Sequence, residues 1–122
     1  MAADLYGSGN ETRVRTLDAI PLVAATIDLP PSSVGTVTVI VVARSPGGAR
    51  GAWRLFVAGG RESAAPSAIS PPVNVNTQLD IAAATWAVAL IVTGNSIGIQ
   101  LTGQAATTID WLVITQEIVY AP

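Results

Sequence analysis

The segment from Thr85 to Thr93 most constrains the fold, because it is an apolar β-strand pattern with two hydrophobic faces. Its apolar side chains alternate between two sets: Trp86, Val88, Leu90 and Val92, and then Ala87, Ala89 and Ile91. Successive side chains of a strand point to opposite sides of a sheet. A strand that is apolar on both sides needs cover on both, either from a second sheet or from another subunit. The segment therefore predicts a β-protein that assembles.

Other segments of the chain also have strand composition, and turns rich in Gly, Pro and Asn separate them. Val73–Ile81 alternates cleanly, and Val34–Arg44 is densest in Val, Ile and Thr, again with apolar residues on both faces. Further strands are expected near residues 17–29, 51–59, 97–102 and 107–119, with a loop at 63–72. No helical period extends over about ten residues. The sequence predicts an all-β chain, an antiparallel β-sandwich or jelly-roll-like fold of about seven to eight strands.

The N-terminal residues lack this strand pattern and include a Gly-Ser-Gly sequence at positions 7–9. We expect an extended N-terminal arm, residues 1–16, followed by one β-sandwich domain, residues 17–122. Such an arm is either disordered in the isolated protein or ordered on a neighbouring molecule. If it orders, we expect it to contact a partner through Leu5, Tyr6, Arg13 and Arg15.

The composition also limits the partners. Charged residues make up 11% of the chain, whereas an ordinary soluble domain has about 25%. So few charges leave weakly polar surface, which favours coverage by other proteins. The net charge is −2 and the arginines are scattered along the sequence, which disfavours nucleic acid as a partner. The apolar runs are much shorter than the roughly 20 residues of a membrane helix, so no membrane contact is expected.

Few side chains in this sequence are suited to catalysis, because it contains no His and no Cys. The common nucleophile–base pairs and the nitrogen or sulfur metal sites are therefore missing. A carboxylate pair for glycoside hydrolysis is the remaining option, and the candidates are Glu62, Asp80, Asp110 and Glu117. The same residues suit turns, strand ends and solvated edges, and no Asp-x-Asp spacing indicates calcium. We expect no catalytic residue, no cofactor and no metal.

Three tryptophans, Trp53, Trp86 and Trp111, stand near the start of strand-like segments. Large aromatic side chains at such positions usually fill a core. An alternative is a platform on which a sugar ring stacks, which requires an exposed indole near a polar side chain such as Asn95 or Gln104. The sequence leaves both interpretations open.

Short motifs in the C-terminal third form a recognisable pattern: Trp86-Ala87-Val88, Leu101-Thr102-Gly103, Thr108-Ile109-Asp110-Trp111 and Glu117. Upstream, Val41-Val42-Ala43-Arg44 precedes a Gly-rich turn and Ala52-Trp53-Arg54. From about Thr16 to Val119 the chain resembles a small β-module of virion proteins of tailed bacteriophages. Asp110 departs from that pattern, in which a basic residue is more usual, and the Ser- and Pro-rich segment 63–72 is particular to this chain.

The resemblance implies a non-enzymatic virion structural protein, commonly trimeric, of the head decoration (cement) or tail-fibre type. We expect a homotrimer that binds the major capsid protein or another virion protein on the outer surface of the capsid. The alternative is a tail-fibre or receptor-binding module that binds carbohydrate. In a trimer, the second face of Thr85–Thr93, with Ala87, Ala89 and Ile91, is expected at the subunit interface.

Overall fold

The computed structural model describes residues 10–28, 33–61, 66–68, 73–93 and 96–120, which form two antiparallel β-sheets. A short 3₁₀ helix, Ile81–Ala83, connects the sixth and seventh strands. None of the helices in the described part of the chain is long and apolar enough to cross a membrane. The strands are β1 (Asn10–Thr16), β2 (Leu22–Asp28), β3 (Ser33–Arg44), β4 (Arg50–Arg61), β5 (Pro66–Ala68), β6 (Val73–Leu79), β7 (Ala87–Thr93), β8 (Ser96–Thr102) and β9 (Ile109–Tyr120).

The larger sheet has six strands in the order β1-β9-β3-β4-β5, with β6 also paired to β4. The smaller sheet has three strands in the order β2-β8-β7. The long strands β3, β4 and β9 form the centre of the larger sheet, and in their register Val39 lies between Leu55 and Thr115. Two antiparallel sheets with their apolar sides together make a β-sandwich. The predicted fold class is confirmed.

The structure adds β1 and β5 to the strands expected from the sequence. Strand β1 pairs along its whole length with β9, so the second half of the expected arm belongs to the larger sheet. Strand β5 pairs with the last residues of β4, within a segment expected to be a loop. Residues 1–9, which include Leu5 and Tyr6, lie outside the described residues, and so does Glu62. For residues 1–9 the arm remains a prediction.

The hydrophobic core lies between the two sheets and follows from the alternation of side chains along the strands. In β3 every second residue points inward, and Val37, Val39 and Val41 are completely or almost completely buried. The smaller sheet contributes the inward side chains of β7 and β8 to the same cluster: Val88, Leu90, Ile97, Ile99 and Leu101. Full burial of one such side chain stabilises a fold by about 1.5–3 kcal/mol.

The three tryptophans fill one region of this core. Trp111 is the central one: its ring centroid is 5.4 Å from that of Trp53 and 6.1 Å from that of Trp86. Their exposed fractions are 4% for Trp53 and 2% for Trp86 and Trp111. Buried indole N–H groups need acceptors. Trp111 Nε1 donates to Thr16 Oγ1 at 2.9 Å, and Trp86 Nε1 donates to Gln104 Oε1 at 3.0 Å. Their interpretation as core residues is confirmed.

Gly103 lies against Thr16, the hydrogen-bond acceptor of Trp111. A Cβ at position 103 would lie 2.6 Å from Thr16 Oγ1 and 2.8 Å from the backbone oxygen of Asp18. We expect Gly103→Ala to displace Thr16 and weaken its hydrogen bond with Trp111. The free energy of unfolding, measured by urea denaturation, should fall by about 1–3 kcal/mol.

Gly47→Ala is the matched control, because a Cβ there would meet only Ser45 Oγ, at an ordinary 3.8 Å. This variant should keep the stability of the wild-type chain within about 0.5 kcal/mol. Equal stability losses in the two variants would show that the contact between Gly103 and Thr16 is not tight.

Candidate interaction surfaces

The outer side of the larger sheet carries apolar side chains that the described residues leave open. Ile40, Val42 and Ile114 are 39%, 44% and 38% exposed. Cross-strand pairing places Ile40 beside Ile114 and Val42 beside Leu112, so these side chains form one continuous patch. We call this surface the large face and define it by these outward side chains: Glu11, Arg13, Arg15, Ile40, Val42, Arg44, Arg50, Ala52, Arg54, Asp110, Leu112 and Ile114.

Five arginines border the apolar centre of the large face: Arg13, Arg15, Arg44, Arg50 and Arg54. They are distant in sequence, but the antiparallel register places Arg15 and Arg44 on either side of Asp110, with Arg50 next to Arg44. Arginines that are scattered along the sequence are therefore gathered on one surface. Two features of the sequence indicate part of this grouping of arginines. Arg13 and Arg15 share a face by their spacing of two, and Arg44 and Arg50 flank a tight turn.

Carboxylates neutralise only part of this positive charge. Asp110 pairs with Arg15 through contacts of 2.7 and 3.4 Å. Asp80 accepts a hydrogen bond from Arg50 Nε at 3.1 Å, and Glu11 lies 3.5 Å from Arg13. Within the described residues, Arg44 and Arg54 take part in no salt bridge or side-chain hydrogen bond. The large face is therefore positively charged although the whole chain has a net charge of −2.

Asp110 has an electrostatic role on the large face. The hydrogen bond from Arg15 holds the pKa of Asp110 below its ordinary value, and the charges of Arg15 and Arg44 lower that pKa too, against a smaller opposing effect of burial. The carboxylate therefore carries its charge at neutral pH. A general acid must instead hold a proton that it can give to a leaving group. Asp110 is thus suited to pairing with Arg15 rather than to giving up a proton as a general acid.

The other described candidate carboxylates, Asp80 and Glu117, lie in different surroundings. Asp80 accepts hydrogen bonds from both the backbone N–H and the guanidinium of Arg50. Glu117 lies half-buried in β9, opposite Val37. Among the residues that the structure describes, no three acidic side chains come together in a way that could hold a metal ion. Asp80, like Asp110, is therefore paired with an arginine.

An open depression of about 750 Å³ lies at one end of the large face. Val42 and Leu112 contribute apolar walls, and Arg44 and Arg50 stand at its border. Arginine stems cover apolar surface while their guanidinium groups remain in water. The depression can therefore take an apolar group that carries a negative charge beside it.

The outer side of the smaller sheet is a second open surface with different chemistry. We call it the small face, and its outward side chains are Val23, Thr26, Asp28, Ala87, Ala89, Ile91, Gln100 and Thr102, with Gly98 at its centre. Asp28 is its one charged residue within the described part of the chain. Val88 and Leu90 of β7 point into the core, whereas Ala87 and Ile91 are exposed. The strand with two apolar faces is thus covered on one side by its own chain.

The structure places the predicted site residues on both surfaces. Ala87, Ala89 and Ile91, expected at a subunit interface, lie on the small face. Arg13 and Arg15, expected to contact a partner, lie on the large face. The contacts of these residues with other molecules remain predictions. Sequence reasoning did not find Arg44 and Arg54 as members of the same surface.

Similar solved structures include tailspike proteins of two Acinetobacter phages. The tailspike of phage vB_ApiP_P1 is 12% identical with a TM-score of 0.42, and the match covers 90% of this chain and 22% of that protein. The tailspike gp49 of Acinetobacter baumannii phage Fri1, described as a capsular polysaccharide depolymerase, is 15% identical with a TM-score of 0.38, and the match covers 88% and 17%. The chain thus spans about a fifth of the length of these tailspikes. Similarity at these TM-scores does not indicate a function. No protein-family model and no curated protein matches the sequence.

Acid should remove the stabilising effect of Asp110. Because its pKa is lower in the folded chain than the ordinary 3.8, the ionised carboxylate stabilises the fold at neutral pH, and this effect is lost as the pH falls through the folded pKa. We expect Asp110→Asn to lower the melting temperature at pH 7. The difference in melting temperature between this variant and the wild type should stay constant above a pH equal to the ordinary pKa of 3.8 and should shrink below it.

Asp18→Asn is the control, because Asp18 has no salt bridge within the described residues and belongs to neither face, and the asparagine can still accept the hydrogen bond from the backbone N–H of Ile20. Its melting temperature should follow that of the wild type at pH 7. A difference between Asp110→Asn and wild type that persists unchanged in acid would contradict the assigned ion pair.

Proposed function

We propose that the chain is a non-enzymatic structural protein of a phage virion, which assembles as a homotrimer and binds the outer surface of the head shell. One observation carries this proposal: a single sandwich has an exposed apolar patch on each of its two sheets. A protein with two such surfaces is suited to joining other proteins, since exposed apolar patches of this kind mark interaction sites. The sequence resemblance to virion β-modules supports the same role.

The small face is proposed as the contact between subunits. Its side chains are short, with Ala87, Ala89 and Gly98 among them, so another sheet or strand can approach closely. Its near lack of charge avoids the cost of burying unpaired ions. A single face turned towards a threefold axis contacts both neighbours, which is how a cyclic trimer is closed.

In the described residues the tryptophans do not supply a platform for stacking on sugar rings. Stacking on sugar rings requires exposed aromatic faces, whereas Trp53, Trp86 and Trp111 are buried. Gln104, one of the polar side chains considered for a sugar site, accepts the hydrogen bond from Trp86. A tail-fibre or receptor-binding module remains the alternative to head decoration, and the shell-binding measurement below separates the two.

The proposed trimer predicts a mass of about three times 12.4 kDa by light scattering. Ala89→Glu places a charge on β7 within the small face, where the neighbouring subunits would bury it, so this variant should be a folded monomer. Ala105→Glu makes the same exchange at an exposed loop position and should remain a trimer. A monomeric wild-type chain, or a trimer unaffected by Ala89→Glu, would contradict this assembly.

The N-terminal arm allows a second test of the proposed shell binding. Residues 10–16 are part of the larger sheet, so a truncation that leaves the fold intact ends at residue 9. Removal of residues 1–9, with Leu5 and Tyr6, should preserve the trimer and weaken sedimentation with purified head shells by about tenfold or more. The full-length chain with Leu5→Ala alone should show an intermediate loss. Unchanged shell binding of the truncated chain would remove the arm from the contact.

A further inference from the structure

We infer that the large face is the docking surface for a partner protein whose own surface is apolar in the middle and acidic around it. The inference rests on the proposed function for the choice of that partner, the shell protein. It adds the surface that makes the contact and the chemistry that the partner must present.

The first argument is the exposure of large apolar side chains in a sheet centre. Ile40 and Val42 lie in β3, which is flanked on both sides by other strands, and Ile114 and Leu112 lie beside them in β9. Central strands of a sheet exposed to water normally have polar outward side chains. Branched apolar residues at these positions indicate that another molecule covers them.

The second argument is the arrangement of unpaired charge. Arg54 lies opposite Ile40, and Arg44 is four residues further along β3. At a rise of about 3.4 Å per residue, the two positions are roughly 14 Å apart. Val42 and Ala52 lie side by side between them. A partner that places two carboxylates about this far apart, with an apolar side chain between them, would pair both arginines and cover the patch.

A second copy of the chain does not meet these requirements. If two large faces met, their arginines would oppose each other, and like charges across an interface are strongly disfavoured. The small face offers Asp28 as its only described charge, so it cannot neutralise both Arg44 and Arg54. Nucleic acid is disfavoured because Asp110, Asp80 and Glu11 stand among the arginines and would repel phosphates. A protein surface with an apolar centre and acidic side chains around it can cover the apolar patch and pair both arginines.

The first experiment uses a small probe with the same chemistry, the apolar anion 1-anilinonaphthalene-8-sulfonate. The folded wild-type oligomer should enhance its fluorescence, because the large face is open and positively charged. Arg44→Gln/Arg54→Gln keeps side chains of similar length but removes both charges. This variant should bind the probe about tenfold more weakly and keep the oligomer mass of the wild type.

Ala82→Glu/Ala105→Glu is the matched control, since it changes the net charge by the same amount at two exposed positions outside both faces, one in the 3₁₀ helix and one in a loop. It should bind the probe as the wild type does. Absence of probe binding by the wild type, or equal binding by the arginine variant, would overturn the inference. A smaller oligomer mass for the arginine variant would also overturn it, because a second copy would then cover the large face.

The second experiment measures sedimentation of the same proteins with purified head shells. Wild type and the control should bind equally, and the arginine variant should bind about tenfold or more weakly. Equal binding of all three would overturn the assignment of the large face as the docking surface. Failure of the wild type to bind shells would overturn the proposed decoration function, and the probe titration alone would then decide whether the large face accepts apolar anions.

Discussion

The structure depends on one constraint: the central strands carry apolar side chains on both sides, and a two-layer sandwich covers only one of them. In β3, Val37, Val39 and Val41 enter the core while Ile40 and Val42 remain exposed on the other side. The same holds for β7, with Leu90 inside and Ile91 outside. The fold is therefore complete as a sandwich and still has apolar surface to bury. The strand composition itself therefore favours assembly.

One end of the larger sheet shows how adjacent residues serve the core and the surface. Trp111 points inward and stacks on Trp53, while Asp110 points outward and pairs with Arg15. Thr16, next to Arg15, accepts the hydrogen bond from Trp111. Because side chains alternate along β1 and β9, one pair of strands fixes both the aromatic packing inside and the charge pattern outside. A one-residue shift in the register of these strands would turn the aromatic side chains outward and the charged side chains inward.

The sequence predicted the features that depend on alternation within one segment. These were the sandwich and the two apolar faces of Thr85–Thr93, whereas burial of the tryptophans was one of two interpretations that the sequence left open. It did not predict the features that depend on register between distant segments. The grouping of Arg15, Arg44 and Arg50 requires knowledge that β1, β9, β3 and β4 are neighbours in that order. Strand β1 was also missed, because its alternating Val and Arg residues give a weak apolar signal.

The central claim is that self-association covers the small face and leaves the large face open. The chain has no cysteine, so a single introduced thiol reports on one position. Ala87→Cys on the small face and Val42→Cys on the large face both replace side chains that are exposed in the single chain. The rate of maleimide alkylation in the assembled protein tests the claim directly. Slow reaction at position 87 with rapid reaction at position 42 is the predicted result, and the reverse order would contradict the account.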